Sequence, residues 1–500
     1  MTRLLLSTTI PYVNGRPHLG FALELVQADV LARHHRLRGD EVRLQTGTDD
    51  NSLKNVQAAD AAGVAVRDLV DRNAAEFARL AGPLSLRFDD FLRTSADPRH
   101  RAGVERFWRA CAHDLYRKHY EGLYCVGCEH FYRPGERCPE HEAPLQRVSE
   151  ENWFFRLSRH QERLYDLIAD GRIRIEPAER RNEVLAFIAG GLADFSVSRS
   201  RARARGWGIP VPGDPDQVIY VWWDALGYYL TALDYGTGGH GRWWGRADRR
   251  VHLLGKSVLR FHAVYWPAML LSAGEALPTD ILVHDHLTVN GRKISKSGGP
   301  AVDPLGLVAD YGVDAVRWWL LRDVPRVGDA DFTVERLIAR HDDELANGVG
   351  NLVSRVAGLV HRYRDGVVPA VRATEPVPGR VPEPDSEPDS ELEAARRRAP
   401  GAVAGALDAF DFRRAAGAVY EVVEAANRYV SRTRPWQLAR EGSAHLDPVL
   451  GTLAETCREV AGLLTPFLPD AAARIAARCA GPGGRLPAPA PVFPRLGGTA

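Results

Sequence analysis

The sequence predicts an α/β protein in which a doubly wound parallel sheet is followed by an all-α region. A continuous apolar run, Leu4–Ile10, is typical of a strand buried on both faces of a parallel sheet. A helical apolar pattern over Gly20–Arg38 and a second strand over Glu41–Thr46 complete a β-α-β unit, which is the start of a Rossmann-type fold. From residue 303 the periodicity is helical, and residues 334 to 480 form an α-only stretch.

These patterns also predict the later strands and the division of the chain into regions. Strands of the same sheet are expected at Gln217–Trp222, Val251–Leu254 and Ile281–His284, and Asn290-Gly291 predicts a tight hairpin turn. The expected regions are the first half of the sheet domain at 1–94, an insertion at 95–219, the second half of the sheet domain at 220–292, a region that begins with a loop at 293–347, a helical domain at 348–480 with a flexible loop at 364–389, and a Pro/Gly-rich tail at 481–500.

The composition is that of a globular chain rather than a fibrous or disordered one. Of the 500 residues 45% are hydrophobic, which is enough for sizeable cores. The 65 basic and 64 acidic residues give a net charge of +1, which neither requires nor excludes a nucleic-acid partner. No apolar run approaches the roughly 18 residues of a membrane helix, and the N-terminal segment resembles a strand more than an export signal. We therefore expect no membrane partner and a cytoplasmic location.

Lysine is rare in this chain, and its distribution marks one loop. The chain has 5 Lys against 60 Arg, and two of the Lys lie in Lys293-Ile-Ser-Lys-Ser297. A compact ammonium contacts a phosphate as a point charge, whereas a planar guanidinium binds it as a fork. The segment therefore predicts a phosphate-binding loop in which Lys293 and Lys296 are the cations.

Three of the six Cys cluster with a His at metal-ligand spacing. The pattern is C-x2-C-x9-C-x2-H, and we predict that it holds one structural Zn²⁺ through Cys125, Cys128, Cys138 and His141, at about residues 120–150. Four protein ligands would leave no open position for catalysis. His130 is the competing fourth ligand, and the alternative is a chance cluster of thiols.

A run of alternating arginines, Arg199–Arg205, lies in the insertion. On a strand this alternation would place four Arg side chains on one face. Two interpretations remain open, namely a solvated strand face and a contact with an RNA backbone.

The first helix begins directly after the first strand, at His18-Leu-Gly20. A helix N-terminus presents unpaired N–H groups and the positive end of the helix dipole, which favours a phosphate. His18 would hydrogen-bond a phosphoryl oxygen, and Gly20 would let a flat base approach the backbone. The triplet alone is a weak signal, but it gains weight from Lys293–Ser297, here called the Lys loop, which is predicted just past the last strand at the far end of the same kind of sheet.

Together these motifs resemble those of the class I aminoacyl-tRNA synthetases, and among them the methionyl-tRNA synthetases. Thr9–Gly20 is similar to the family's first signature, and Lys293–Ser297 is similar to its K-M-S-K-S loop. Three further blocks, Trp207–Pro210, Tyr220–Ala225 and Phe261–Met269, extend the resemblance along nearly the full length. The resemblance implies that methionine is activated as an adenylate with ATP and Mg²⁺ and is then transferred to tRNA(Met).

The resemblance also implies which residues bind each ligand. The catalytic residues would be His18, Gly20, Lys293 and Lys296, and ATP would also contact Phe21, Gly255, Ser257, Ser295 and Ser297. Methionine would lie among aromatic rings, with a carboxylate and a Tyr at its ammonium group, in a pocket of Ile10, Tyr12, Asp49, Trp222, Ala225, Leu226, Tyr229, Val258, Phe261, His262 and Trp266. The anticodon would be read by Asn351 and Arg355, which share a helix face, and by the stacking ring of Trp436. Each aromatic residue taken alone fits core packing equally well.

The sequence departs from the family pattern at three positions on the ATP side. Phe21 and Asn51 stand where the family has His, and Ser257 stands where it has Asp. A Phe ring neither donates a hydrogen bond nor carries a charge, so Phe21 does not replace a phosphate ligand. Its ring either flanks the adenine or ribose, or packs into the core between helix and sheet.

Two classes of function therefore compete. The first is a methionine–tRNA ligase that serves translation. The second is a diverged paralogue that activates a methionine analogue, serves a secondary pathway, or binds tRNA without activation. We expect a monomer in either case, because dimeric family members tend to carry an additional C-terminal module.

Overall fold

The structure is a computed structural model, and it describes residues 1–125, 130–132, 137–138, 144–294, 302–370, 387–481 and 484–497. Contacts within the chain divide it into two units. The first unit comprises Met1–Gly82, Leu86–His286 and Arg292–Asp303, and the second comprises Pro83–Ser85, Leu287–Gly291 and Pro304–Ala500. Among the described residues, no helix combines the length and the apolarity that crossing a membrane requires.

The first part of the chain alternates strands and helices before a stretch rich in short strands. Its elements are β1 Arg3–Thr8, α1 Leu19–Leu37, β2 Glu41–Thr48, α2 Leu53–Ala62, α3 Val66–Ala78, β3 Asp90–Arg93 and α4 Pro98–Ala110. The strand-rich stretch contains β4 Leu115–Cys125, β5 His130–Tyr132, β6 Gln146–Phe155, α5 Gln161–Ala169, β7 Arg174–Glu176, α6 Ala178–Ala189, β8 Phe195–Ser196, β9 Ser198–Ser200, β10 Pro210–Val211 and β11 Asp214–Ile219. The chain then forms α7 Val221–Thr231, α8 Gly238–His240, β12 Arg249–Gly255, α9 Trp266–Ala273 and β13 Asp280–His284.

Six parallel strands form the main sheet of the first unit, in the order β3-β2-β1-β12-β13-β7. Five of the six residues of β1 are buried, because helices cover both faces of a parallel sheet. The connections run one way from β1 to β2 and β3, and the other way from β12 to β13. Ligands bind at such a switch of direction, beside the carboxyl ends of the strands. The predicted doubly wound parallel sheet is confirmed.

Two sequence expectations for this unit are wrong. The expected strand Gln217–Trp222 ends at Ile219, and β11 pairs antiparallel with β9 and β10 in a separate small sheet, while Val221 already begins α7. A short apolar run has the same periodicity in a buried strand and in a buried helix, so the pattern did not separate the two. In addition, β7 lies inside the expected insertion, yet it returns to the main sheet as the edge strand beside β13.

The strand-rich stretch is organised around one long antiparallel pair. β4 and β6 pair from Leu115 opposite Phe155 to Tyr124 opposite Gln146, and β5 and β8 flank them in the order β5-β4-β6-β8. Cys125, the first predicted zinc ligand, is the last residue of β4.

The remainder of the chain is mostly helical, as the sequence predicts. Its elements are β14 Leu287–Val289, β15 Arg292–Lys293, α10 Pro304–Tyr311, α11 Val313–Arg322, β16 Ala330–Asp331, α12 Val334–Arg340, α13 Asn351–Arg364, α14 Glu387–Asp408, α15 Phe412–Thr433, α16 Pro435–Arg440, α17 Leu446–Leu464 and α18 Pro469–Arg478. Asn290 and Gly291 both have positive φ, 52° and 71°, which confirms the predicted tight turn. A π-helical segment, His341–Gly350, joins α12 to α13 without a break.

Candidate functional site

Three central strands of the main sheet end at one edge, and predicted site residues follow each of them. Ile10 and Tyr12 follow β1, Asp49 follows β2, and Gly255 ends β12. A β-bridge joins Tyr12 to Asp49, whose N–H donates to the carbonyl of Pro11 at 3.0 Å. The parallel order thus gathers residues that are far apart in sequence at the switch point of the sheet.

His18 caps the N-terminus of α1. Its Nδ1 accepts a hydrogen bond from the Gly20 N–H at 3.1 Å, and its carbonyl accepts from the N–H groups of Phe21 and Ala22 at 2.9 and 3.3 Å. A Cβ on residue 20 would lie 3.1 Å from two ring atoms of His18, which is tighter than normal packing. Gly20 is therefore needed for the cap as well as for any approach of a base.

The chain returns to the same helix end after the Lys loop. The Leu19 N–H donates to the carbonyl of Val302 at 3.0 Å, so the first four amides of α1 all have protein acceptors. The expectation that this helix offers unpaired N–H groups to a phosphate is wrong, because His18 and Val302 occupy them. A phosphate at this helix end would therefore interact with the helix dipole and with side chains rather than with unpaired N–H groups.

Phe21 packs into the protein rather than lining open space. Its side chain is 6% exposed, and its ring meets the fully buried ring of Phe77 of α3 edge to face, with centroids 5.3 Å apart. This is the arrangement that the core-packing interpretation of Phe21 predicts.

The predicted methionine pocket begins with two parallel rings. Trp222, on α7, stacks on Phe261 with centroids 3.7 Å apart and planes 8° apart. Tyr12 meets Trp222 edge to face at 6.3 Å, which links the β1 edge to this pair. Phe261 begins a π-helical turn, Phe261–Tyr265, that leads into α9.

Behind this pair lies a fully buried layer that includes Tyr229, His262 and Trp266. The ring of Tyr229 lies 5.7 Å from the rings of His262 and of Trp266, and its hydroxyl has no hydrogen-bond partner among the described residues. His262 Nδ1 donates to the carbonyl of Val258 at 2.9 Å, so Nε2 carries the free lone pair. Burial lowers the pKa of His262 to about 4, and the ring is therefore neutral at pH 7. The polar groups of this layer, the Tyr229 hydroxyl and the His262 ring, are therefore uncharged at pH 7.

The remaining pocket members belong to the same core. Ala225 and Leu226 are buried on α7, while Ile10 and Val258 are half-buried and pack against the apolar cluster that contains Tyr229, Phe261 and Trp266. Trp266 Nε1 donates to Nε2 of the buried His252 at 3.2 Å. The structure thus brings the predicted residues together from the β1 edge, the β2 edge, α7 and residues 258–266.

Asn51, one of the departures from the family pattern, joins two carboxylates. Its backbone N–H donates to Asp49 Oδ1 at 3.2 Å, and its Nδ2 donates to Asp224 Oδ2 at 3.1 Å. Asp224 is fully buried in the first turn of α7, two residues after Trp222. Asn51 therefore links Asp49, which its backbone N–H contacts, to α7, which its side-chain amide contacts.

Apart from the buried Phe21, the described residues predicted for ATP are more exposed. Gly255 ends β12, and a Cβ there would lie 3.3 Å from Cε1 of His284. Lys256 Nζ lies 3.5 Å from Asp285 Oδ1, and Ser257 is exposed. Lys293 is exposed in β15, whereas Ser295, Lys296 and Ser297 lie outside the described residues.

Glu24 and His284 form a pair at this edge that the sequence motifs do not predict, in which Glu24 is buried and His284 is half-buried. Glu24 Oε1 accepts hydrogen bonds from the N–H and the hydroxyl of Thr9, both at 2.6 Å, and Oε2 lies 3.2 Å from His284 Nε2. Burial alone would lower the pKa of His284, but its hydrogen bond to Glu24 and the charge of that carboxylate raise it overall. Glu24 itself is the signal in the sequence, because an acidic residue on the apolar face of α1 requires a buried partner.

The arginine run does not form the expected strand face. β9 ends at Ser200, and residues 201–206 form turns. Arg199 lies over the ring of Tyr220 at 5.0 Å, Arg203 pairs with Glu150 at 2.7 Å, and Arg205 pairs with Asp60. The predicted alternation on one face is wrong because the strand ends at Ser200, and Arg199, Arg203 and Arg205 each contact a different acidic or aromatic partner within the unit.

The structure describes half of the predicted zinc site. Cys125 is buried at the end of β4, and Cys138 is half-buried. Cys128 and His141 lie outside the described residues, so the zinc knuckle stays a prediction.

The anticodon candidates lie in the second unit. Asn351 is exposed at the start of α13, and Arg355 lies four residues later on the same helix, where it is half-buried. Trp436 is half-buried near the start of α16, which packs against α13.

Two family models match the chain. Residues 4–147 and 140–357 match "tRNA synthetases class I (M)", and residues 381–487 match "Anticodon binding domain of methionyl tRNA ligase". The first model covers all the described strands and extends into α13, and the second covers α14 to α18.

Named relatives and solved structures agree with these models. The chain is 38% identical to the methionine–tRNA ligase of Brucella melitensis, over 98% of this chain and 97% of the relative. It is 39% identical to that of Synechocystis, over 94% and 88%. The structure of Mycobacterium tuberculosis methionyl-tRNA synthetase in complex with methionyl-adenylate superimposes with a TM-score of 0.90 at 37% identity, covering 99% of this chain and 100% of the other. The chain therefore belongs to the methionyl-tRNA synthetase family of the class I aminoacyl-tRNA synthetases.

Proposed function

We propose that this chain activates methionine with ATP as methionyl-adenylate and transfers the methionyl group to tRNA(Met) for translation. The observation that carries the proposal is the cluster of aromatic rings around the half-buried Trp222 and the buried Phe261, which Tyr12 connects to Asp49 at the sheet edge. The names of the relatives support it, as does the methionyl-adenylate held by the M. tuberculosis enzyme.

The pocket suits a thioether side chain in its chemistry. Aromatic ring edges attract a polarizable sulfur, and the neutral ring of His262 brings no competing charge. The carboxylate of Asp49 would hold the ammonium group of methionine, and the hydroxyl of Tyr229 would lie toward the sulfur. Ile10, Ala225, Leu226 and Val258 would close the apolar walls.

The reaction needs positioning and charge stabilisation rather than a covalent enzyme intermediate. The methionine carboxylate attacks the α-phosphorus of ATP, the bond to the leaving pyrophosphate breaks, and methionyl-adenylate forms. His18, the dipole of α1, Lys293 and Lys296 would stabilise the negative charge on the transferring and leaving phosphoryl oxygens. A ribose hydroxyl of the tRNA then attacks the adenylate carbonyl, and AMP leaves.

Pyrophosphate exchange with each of the twenty amino acids tests the activation step. We expect exchange that depends on ATP, Mg²⁺ and methionine and that is weak or absent with the other amino acids. Exchange only with a methionine analogue, or tRNA binding without any exchange, would favour the diverged paralogue instead.

Anticodon recognition would use Asn351, Arg355 and Trp436. Because a stacking ring is worth about 1–3 kcal/mol per base, Trp436→Ala should lower charging of tRNA(Met) about tenfold to a hundredfold and leave pyrophosphate exchange intact. Tyr363→Ala, another half-buried aromatic of the second unit, is the control. Equal loss of charging and of exchange would mean that Trp436 only supports the fold.

The zinc proposal is separate from the chemistry of activation. Three thiolates and an imidazole would suit Zn²⁺, which they would hold as a structural ion. Protein purified without chelator should contain one zinc per chain, and removing the metal should lower the thermal stability of the strand-rich stretch. Metal analysis without zinc would reject the site.

We also propose that the protein is a monomer in the cytoplasm, where translation consumes its product. Sedimentation should give a mass near 55.2 kDa. A mass near twice that value would reject the monomer.

A further inference from the structure

A cavity of about 360 Å³ lies in the second unit beside Asn351, one of the expected anticodon residues. Its polar lining comes from Asn347, Asn351, Ser354 and Arg495. Small-molecule sites usually span about 300–1,000 Å³, so the cavity is large enough for one unstacked base. Arg495 is far from the others in sequence and comes from the C-terminal segment.

That segment, residues 484–497, is here called the C-terminal strap, and it is fixed at its far end. The carboxylate of Asp342 accepts the N–H groups of Leu496 and Gly497 at 2.9 and 2.8 Å. Val492 and Phe493 are each 5% exposed, and the ring of Phe493 meets that of His341 edge to face at 6.1 Å. The sequence predicts only a Pro/Gly-rich tail here, whereas the strap is packed against the helices.

The strap is also fixed where it begins. The Leu486 N–H donates to the carbonyl of Gly366 at 2.7 Å, and the Val368 N–H donates to the carbonyl of Gly484 at 3.0 Å. His361 Nε2 lies 2.8 Å from the carbonyl of Pro487. With both ends held, the strap places Arg495 at a defined position over the helix.

Two features of the helix beneath the strap allow the strap to pack closely against it. The π-helical segment His341–Gly350 ends directly before Asn351, and π-helical turns often occur at functional sites. A Cβ on Gly350 would lie 3.3 Å from the ring of Phe493 and 3.1 Å from the Leu345 carbonyl, so glycine lets the strap close on the helix.

The polar groups of the cavity match the chemistry of a nucleotide. Arg495 Nη2 donates to Asn347 Oδ1 at 2.7 Å, and Asn347 and Asn351 are exposed one helical turn apart. A guanidinium has five N–H donors and a flat face, so Arg495 has donors and a stacking surface left for a base or a phosphate.

We infer that the C-terminal strap forms one wall of the anticodon site and that Arg495 contacts an unstacked base, or its phosphate, in the anticodon loop of the tRNA. The inference rests on the proposed function and deepens it, because the family resemblance assigns only Asn351, Arg355 and Trp436 to this site.

The test compares two arginines of the strap. Arg495→Ala should lower kcat/KM for charging of tRNA(Met), and affinity for an isolated anticodon stem-loop RNA, about tenfold. Arg485→Ala removes the same charge from an exposed strap residue outside the cavity lining, and it should change either value less than twofold. Pyrophosphate exchange and the midpoint of thermal unfolding should stay the same in both variants. Arg495→Gln, which keeps an N–H donor for Asn347 but removes the charge, covers the case in which the Ala variant folds poorly.

Two results would overturn the inference. One is an equal effect of Arg495→Ala and Arg485→Ala on binding of the stem-loop RNA. The other is an equal loss on an acceptor-stem minihelix that has no anticodon, which would move the contact to another part of the tRNA. If the wild-type protein lacks exchange with methionine, the proposed function fails, whereas binding of the stem-loop RNA still decides the role of the strap.

Discussion

The proposed site has an amino-acid half, which would bind methionine, and a nucleotide half, which would bind ATP, and the two halves are built in different ways. The amino-acid half is part of the hydrophobic core, where Phe261, His262 and Trp266 are 8%, 3% and 0% exposed. The nucleotide half would comprise the N-terminus of α1, the end of β12 and Lys293, and Ser257 and Lys293 are exposed.

The difference predicts that packing of the rings matters most in the amino-acid half and that charge matters most in the nucleotide half. In the amino-acid half, ring packing shapes the pocket, so a change there should cost both stability and recognition of methionine. In the nucleotide half, cations and a helix dipole would act on a transferring phosphoryl group, so a change to one of these cations should alter the rate and leave stability nearly untouched.

The largest effect is expected from Lys296→Ala. Loss of a charge that stabilises the transition state typically costs about a hundredfold or more in rate, and exchange should fall at least that far with unchanged thermal stability. Lys118→Ala, at an exposed position of β4, serves as the control. A loss of less than tenfold would mean that Lys293 and His18 carry the charge stabilisation without Lys296.

Phe261→Ala tests the amino-acid half and should affect both quantities. Removing the ring that stacks on Trp222 should raise KM for methionine by tens of fold and lower the free energy of unfolding by about 3–5 kcal/mol. Phe187→Ala, a half-buried ring outside the pocket, should lower stability without changing that KM. An unchanged KM in Phe261→Ala would show that the ring belongs to the core and not to the pocket.

The two halves also differ in how well the sequence predicts them. The start of the parallel sheet could be predicted from strand periodicity, which is a local property of the chain. The motifs also grouped aromatic residues that the structure brings together, while their role as a methionine pocket stays a prediction. The pair of Glu24 and His284 was missed because its partners are 260 residues apart and periodicity carries no information on such pairs.

The errors have the same physical cause. The N–H groups of α1 were expected to be open, but Val302 returns from the far side of the Lys loop and takes one of them. Arg205 was expected on a strand face, but it pairs with Asp60, which is 145 residues away. In both cases a long-range partner decides the structure, and local pattern does not identify it.

Asn51→Ala should have an effect of intermediate size on KM for methionine. Asn51 is a departure from the family pattern on the ATP side, yet it contacts Asp49 of the amino-acid half. Without the amide, Asp224 loses the hydrogen bond from Nδ2, and the link from Asp49 to α7 is broken. Because a hydrogen bond to a charged group is worth about 1.5–3 kcal/mol, we expect KM for methionine to rise about tenfold with a smaller change in kcat. Asn51→Asp should be worse than Ala, since it places a third carboxylate beside two others. An Asp variant that matches the wild type would exclude this role for Asn51.

The smallest change in rate is expected from Phe21→His, although it restores the residue of the family pattern. Phe21 lies in the first turn of α1, but its ring is buried against Phe77, and an imidazole in the same rotamer would also point into the core. Since burying a Phe side chain is worth about 1.5–3 kcal/mol, the variant should lose about that much stability, whereas adenylate formation should change less than threefold. Phe21→Leu keeps the site apolar and should lose less stability, about 1.5 kcal/mol at most. Single-turnover adenylate formation and thermal unfolding of the two variants measure this directly. If Phe21→His instead accelerates adenylate formation about tenfold, the imidazole has left the core to reach the triphosphate, and the nucleotide half would then depend on position 21 as much as on His18.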